Sequence, residues 1–431
     1  MDRLPFELAT IVMNNLIEYE NPCTHYPPED VEQPLSSCDH FRFHEWMFTN
    51  WLLLKQTSIA TILHARLSCS SLYHASHPSY AILLGDRTFR YTNSSIEALL
   101  RIGQKPEIAR FITTITIGCA GLRYPCDTKQ LRHAFQYLSL SDNSIKAYER
   151  CAKWQHNEVS MCKQRLTQLL KAFPNLTAVR IHTGLSERSS DAWLQAGASR
   201  FDGGMLYEKF DTQAWTALYR MYELNTVPID SVIGALKDAG TTLEDFRISL
   251  LRPPGTNHSL FRYGLPSSNL HTLCITSPHG YYGLADFSET MARILVGAPN
   301  LRDVTIRTVE DCRYGDTTSF FDALMSHTKL RRVCFMGFWI LHQKDLVEFA
   351  SLHAHSLRCL IFDESILCGS WSETIRAIGH ISQGQLEYFR ATDIKENPPD
   401  SPIEGHARKF ALERSDFEDF LCPVDWSVFK Q

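Results

Sequence analysis

What is missing from this 431-residue chain narrows its chemistry first. No apolar stretch approaches the roughly 20 residues that cross a bilayer, and the opening Met1-Asp2-Arg3-Leu4-Pro5 has no long apolar run of the secretory kind. No membrane segment is expected. No basic run stands out, and 43 Lys and Arg against 48 Asp and Glu leave a formal charge of −5, so no nucleic-acid footprint is visible. Thirteen cysteines are present, an odd number, and none forms a C-x-x-C pair. Cys274, Cys334 and Cys359 lie inside apolar phrases as small packing residues, which is the usage of a reducing compartment, cytoplasm or nucleus. A G-x-S-x-G elbow, a phosphate loop ending in Lys-Ser/Thr, G-x-G-x-x-G and H-E-x-x-H are all absent. The expectation is a chain that is not an enzyme and holds no cofactor.

One cluster of possible ligands occurs near the start: Cys23, His25, Cys38, His40 and His44. Cys23-x-His25 and Cys38-x-His40 are tighter than the spacing of zinc fingers. A polar loop broken by Pro22, Pro27, Pro28 and Pro34 accounts for the same residues, and no metal is expected.

What is present is a recurring phrase. Leu243-x-x-Phe246-x-Ile248 returns as Leu270-x-x-Leu273-x-Ile275, Leu301-x-x-Val304-x-Ile306, Leu330-x-x-Val333-x-Phe335 and Leu357-x-x-Leu360-x-Phe362. Leu386-x-x-Phe389-x-Ala391 is a weaker sixth copy, and the leading leucines step by 27, 31, 29, 27 and 29 residues. The last two apolar positions are two apart, so they share one face of a short strand. Helical spacing precedes several copies: Met291, Ile294 and Leu295; Phe321, Leu324 and Met325; Leu346, Phe349 and Leu352. An earlier copy runs Leu166, Leu169, Leu170, Phe173, then Leu176-x-x-Val179-x-Ile181. The earliest sets Ile96, Leu99 and Leu100 before Ile112-x-x-Ile115-x-Ile117.

A helix and a strand alternating at a period near 28 predict an α/β solenoid, with helices outside and parallel strands inside. The pattern resembles leucine-rich repeats of the irregular kind, without their asparagine ladder; an ordinary α/β sheet of similar spacing is the alternative. Two gaps break the period. Steps of 64 residues before Leu176 and 67 after it imply inserts near 119–162 and 185–228, either degenerate repeats or loops. The first reads helical through Leu131, Phe135, Leu138, Ile145 and Tyr148.

The chain opens Leu4-Pro5-Phe6-Glu7-Leu8-x-x-Ile11-Val12-x-x-x-Leu16. Pro5 suits a first helical turn and Glu7 complements the positive end of the dipole. Leu8, Ile11, Val12 and Leu16 fall on one face. A second helical stretch, Ile59, Ile62, Leu63 and Leu67, runs into Ser68-Cys69-Ser70-Ser71-Leu72-Tyr73-His74-Ala75 and ends before Pro78. Leu4-Pro5-x-Glu7-Leu8-x-x-Ile11 and Arg66-Leu67-Ser68-Cys69-Ser70-Ser71-Leu72-Tyr73 resemble the two halves of an F-box. An F-box before leucine-rich-like repeats is the layout of fungal-type substrate-recognition subunits of SCF ubiquitin ligases. The segment near 20–55, with Phe41, Phe43, Trp46, Phe48 and Trp51, departs from that pattern by separating the halves.

The resemblance implies an F-box-like helical domain over 1–92, a repeat solenoid over 93–395 and a tail or cap over 396–431. It implies that Leu4, Pro5, Leu8, Ile11 and Val12 dock a Skp-family adaptor while the solenoid holds a protein substrate. Those apolar residues have a second reading, as a cap packed on the first repeat, and the chain would then be a binding scaffold with no ubiquitin link. On the strands, the residue between the last two apolar positions points away from the core. That column and the next nominate Arg180, Arg247, Arg307, Arg390, Met336 and Ile361 as substrate contacts. The arginines suit acidic or phosphorylated groups.

Overall fold

The computed structural model describes residues 5–20, 53–91, 93–118, 142–182, 227–249, 268–277, 292–308, 318–336, 339–363, 365–382, 385–392, 394–397 and 408–409. The chain is α/β. Nine strands form one sheet in the order β13-β11-β9-β8-β7-β6-β5-β4-β3, so each strand lies beside the strand of the preceding or following phrase. These are β3 (Thr88–Arg90), β4 (Thr114–Gly118), β5 (Ala178–His182), β6 (Asp245–Ser249), β7 (Thr272–Ser277), β8 (Asp303–Thr308), β9 (Arg332–Met336), β11 (Cys359–Asp363) and β13 (Tyr388–Thr392). By contacts the chain divides into two compact units, Met1–Thr241 with Ile248–Leu251, and Thr242–Arg247 with Arg252–Gln431.

Among the described residues the first unit begins with the helices α1 (Phe6–Asn15), α2 (Gln56–Ser68), α3 (Ser70–Ala75) and α4 (His77–Asp86). Pro5 stands at the N-cap of α1, its carbonyl accepting from the Ala9 N–H at 3.0 Å. Pro78 sits in the first turn of α4, where its missing N–H breaks nothing, so the chain turns at Ser76 and a further helix begins where the sequence reading ended one. Met13, Leu54, Ile62 and Leu83 form the buried centre of this helical part. A short pair, β1 (Tyr19–Glu20) and β2 (Leu53–Leu54), closes antiparallel beside it.

Farther along the unit come α5 (Asn93–Gly103), the single turn α6 (Pro106–Ala109), α7 (Asp142–Ala172) and α8 (Val227–Ala239). The end of the first expected insert and the helix before Leu176 form a single element. α7 runs 31 residues because neither glycine nor proline interrupts Asp142 to Phe173. Strands β3, β4 and β5 pair in parallel, with Ile115 opposite Val179 and Ile117 opposite Ile181. All four of those side chains are buried, so the two phrases meet in the register their spacing implies.

In the second unit β7, β8, β9, β11 and β13 pair in parallel, and the phrase positions match row by row. Leu273, Val304, Val333, Leu360 and Phe389 lie side by side, as do Ile275, Ile306, Phe335, Phe362 and Ala391. A one-residue slip would turn every apolar row outward, so burial fixes this register. The leading leucines Leu270, Leu301 and Leu330 are fully buried, and each opens a turn with a repeated lattice of bonds. The carbonyl of the next residue, Glu244, His271, Arg302, Arg331 or Arg358, accepts two backbone N–H groups from the following phrase. The asparagine before a leading leucine adds a side-chain rung in each unit, Asn175 to the Arg110 carbonyl at 2.7 Å and Asn300 to the Ser268 carbonyl at 2.8 Å.

A second ladder lies outside the repeated phrases. β10 (Ile340–His342), β12 (Ile366–Cys368) and β14 (Lys395–Asn397) pair in parallel, with β15 (Arg408–Lys409) antiparallel at the edge. They lead into or follow α10 (Gln343–Leu352) and α11 (Trp371–Ser382); α9 (Thr318–Met325) precedes β9. Of the apolar residues expected on the inner helical faces, Ile294, Leu295, Phe321, Leu324, Leu346 and Phe349 are buried. Leu352 is exposed instead, because α10 ends there and the chain turns at His353.

Candidate functional site

Helix α1 divides cleanly by face. Ala9 and Met13 are buried and hold the helix to its neighbours, whereas Leu8 (50% exposed), Ile11 (55%) and Val12 (45%) face outward. Leu16 extends the same apolar row just past the helix end, Phe6 is exposed in the first turn, and Pro5 at the start is exposed. Leu4 lies outside the described residues. Five large apolar side chains exposed on one short helix are costly to leave in water, at about 25 cal/mol per Å² of apolar area. Such rows mark surfaces that another body covers.

The second F-box-like phrase forms the corner behind it. Arg66 stacks on Tyr73 and Tyr80, its carbon 4.4 and 4.0 Å from the two ring centroids, and donates to Ser76 Oγ at 3.0 Å. One guanidinium thereby ties α2 to α3 and α4, each stacking contributing about 0.5–1 kcal/mol. Leu67, expected on the packing face of the second helix, is 85% exposed, while Ile62 is buried and Ile59 and Leu63 pack partly. Phe6 and Leu67 are thus outward apolar residues that the sequence reading did not nominate.

The six nominated substrate contacts fare unequally. Arg180 is largely taken up inside the first unit, where its Nη1 lies 3.9 Å from Asp86 Oδ1. Asp86 Oδ2 in turn accepts the Leu54 N–H at 3.0 Å. Burial pushes the Asp86 carboxyl up to about 6, against the Leu54 hydrogen bond and the Arg180 charge. Arg247 is clamped by Asp245 two residues away, Nε and Nη2 donating to both carboxylate oxygens at 2.8–3.1 Å. Arg307 is buried rather than facing solvent. Arg390 is exposed, and Met336 and Ile361 are half-buried.

The strip expected to be open is therefore closed in its middle, where Cys274, Thr276, Arg307 and Cys334 are all buried. Burial pushes the Cys274 thiol up to about 12. Arg332 Nε donates to Cys334 Sγ at 3.5 Å. A hydrogen bond from the Cys359 thiol pulls the Cys334 thiol below its ordinary range against its burial, with Arg332 helping. None of these three cysteines, Cys274, Cys334 and Cys359, is in a disulfide, and they pack within the sheet.

Among the described residues, no group of three or more His, Cys, Asp or Glu side chains could hold a metal ion. Cys23, His25, Cys38, His40 and His44 lie outside those residues. Among the described residues no helix is long and apolar enough to cross a membrane. No protein-family model matches the chain, and no curated protein matches it.

Proposed function

We propose that this chain is a substrate-recognition subunit of an SCF-type ubiquitin ligase, with α1 docking a Skp-family adaptor and a leucine-rich-repeat-like solenoid holding a protein substrate. The observation that carries the reading is the outward apolar row Leu8, Ile11, Val12 and Leu16 on a helix anchored from behind by Ala9 and Met13. A cap packed on the first repeat would bury that row. An amphipathic helix presented this way suits a hydrophobic groove on a partner, in which a few buried anchors supply most of the affinity. The Leu-Pro-x-Glu opening and the Arg66 to Tyr73 phrase give the partner its class.

The solenoid belongs to the same proposal. Its support is the sequential strand order, the phrase-for-phrase register, and the repeated carbonyl and asparagine rungs. No bond is broken by the chain itself; tethering a substrate near a conjugating enzyme raises the effective concentration of its lysines.

The test is capture by a purified Skp-family adaptor of the wild-type chain and of a Leu8→Ser, Ile11→Ser double variant. Both positions are exposed, so the variant keeps its fold, which circular dichroism checks. Capture by the wild type and loss of at least tenfold in affinity by the variant is the expected result. No capture of a folded wild-type chain leaves the repeat scaffold without a ubiquitin link.

A further inference from the structure

Two histidines in the second unit occupy positions where the rest of the repeat pattern places neutral residues. His327 follows α9 and His353 follows α10, each at the corner where the helix hands over to the next leading leucine, Leu330 or Leu357. The corresponding corner before Leu301 holds the fully buried Ala298. His327 and His353 are only 3% and 2% exposed. The backbone that carries them is hydrogen-bonded at both corners. The His327 N–H donates to the Leu324 carbonyl at 3.1 Å and the His353 N–H to the Phe349 carbonyl at 3.1 Å. The His353 carbonyl accepts from Ser356 and Leu357, which form the turn into β11.

Neither imidazole is equipped with two acceptors, as its charged form requires. His327 Nε2 has no hydrogen-bond partner, the His353 ring nitrogens make no close hydrogen bond, and the His353 ring lies 4.5 Å from the Phe349 ring centroid. The Leu295 backbone beside His327 and the Leu324 backbone beside His353 each favour the charged form, and burial outweighs both. No carboxylate among the described residues faces either ring to offset a charge. Burial holds both imidazoles below their ordinary range, and His327 pushes His353 further down. A second proton therefore costs more than the first.

We propose that His327 and His353 form an acid-sensitive catch that keeps two successive helix-to-strand corners of the second unit closed near neutral pH and opens them together in mild acid. The physical reason is that an imidazolium has two N–H groups and finds at most one acceptor in each buried corner, while the opened corner returns both rings to water. The site is neither the α1 row nor the residues nominated for substrate, and the proposal does not rest on the adaptor reading. Its consequence is that the strands following those corners, β9 and β11, carry their outward residues Met336 and Ile361 in a pH-dependent frame.

The sign follows from linkage. A histidine whose pKa is lower folded than unfolded contributes stability that is present above its unfolded value of about 6.5 and lost as pH falls through it. Between about pH 7.5 and about pH 5.5, each such imidazole multiplies the opening constant by at most about tenfold, and the two together by at most about a hundredfold. The test is amide hydrogen exchange of the full chain by mass spectrometry at those two pH values, corrected for intrinsic rates. Peptides covering 318–336 and 343–363 are expected to exchange faster in acid in the wild type, within that limit. A His327→Phe variant is expected to show a smaller acceleration, and a His327→Phe, His353→Phe variant none. Unchanged wild-type exchange at the lower pH overturns the proposal without any variant, and so does full acceleration in the double variant. If the double variant does not fold, a smaller acceleration in His327→Phe than in the wild type decides the matter.

Discussion

Asp86 carries most of the electrostatic strain of the first unit. Its side chain is about 10% exposed, accepts one backbone hydrogen bond and stands just beyond hydrogen-bond range of Arg180. A carboxyl raised from 3.8 to about 6 binds its proton more tightly folded than unfolded. Its contribution to stability is therefore full below the unfolded value and is lost as pH rises through about 6. The loss amounts to about 3 kcal/mol at neutral pH. Asp86→Asn keeps an oxygen for the Leu54 N–H and removes the titration. Chemical denaturation at pH values on either side of this range is expected to show the variant gaining on the wild type by up to about 3 kcal/mol as pH rises. Taking the difference between the two chains cancels the opposite trend from the buried histidines. Asp86→Ala, which leaves both Leu54 N–H and Arg180 without this acceptor, is expected to cost about 1–3 kcal/mol in acid and to recover that cost as pH rises, because it removes the same titration.

At the scale of elements, α1 is the clearest case of one helix doing two things. Met13 is 1% exposed and packs with Leu54, Ile62 and Leu83, so Met13→Ala is expected to cost about 2–4 kcal/mol. Ile11→Ala, two residues earlier on the outward side, is expected to shift stability by no more than about 0.5 kcal/mol. Thermal denaturation of the two single variants tests the division. The apolar row was legible from the 3-4 spacing of Leu8, Ile11, Val12 and Leu16, but which side anchors the helix was not. Ala9 and Met13 form a narrower and less conspicuous stripe, and only the positions of Leu54 and Ile62 show that they are the buried pair. The strands were legible down to register because L-x-x-h-x-h states both the turn and the buried face. The ladder of β10, β12 and β14 was not, since three-residue strands such as Ile340-Leu341-His342 are too short to show a period. Arg180 and Arg247 were nominated from their place in the strand phrase, but their partners Asp86 and Asp245 could not be weighed. Asp86 is distant in sequence, and Asp245 looked like ordinary strand-edge polarity.

For the molecule taken whole, the question is whether the second unit behaves as a one-dimensional array or as a single cooperative sheet. Its interior is a run of rings crossing from phrase to phrase. Phe321 stacks on Phe335 at 5.5 Å, Phe335 on Phe362 at 5.6 Å with planes 3° apart, and Phe362 meets Phe389 and Trp371. Removing one ring leaves a cavity costing about 3–5 kcal/mol wherever it is made. In an array, stability is a sum of unit and nearest-neighbour terms, so the location of that loss decides what opens. Phe389→Ala sits on the last strand of the sheet order and is expected to speed amide exchange in β13 and β11 while β7 and β8 keep their protection. Phe335→Ala, in the middle, is expected to speed exchange in β8, β9 and β11 and to leave β7 less affected. Equal acceleration of all five strands in both variants would mean one cooperative sheet, and the solenoid reading would fall. A graded response would instead mean that each phrase is stabilised chiefly by its two neighbours, the behaviour expected of a surface assembled from repeats to hold another protein.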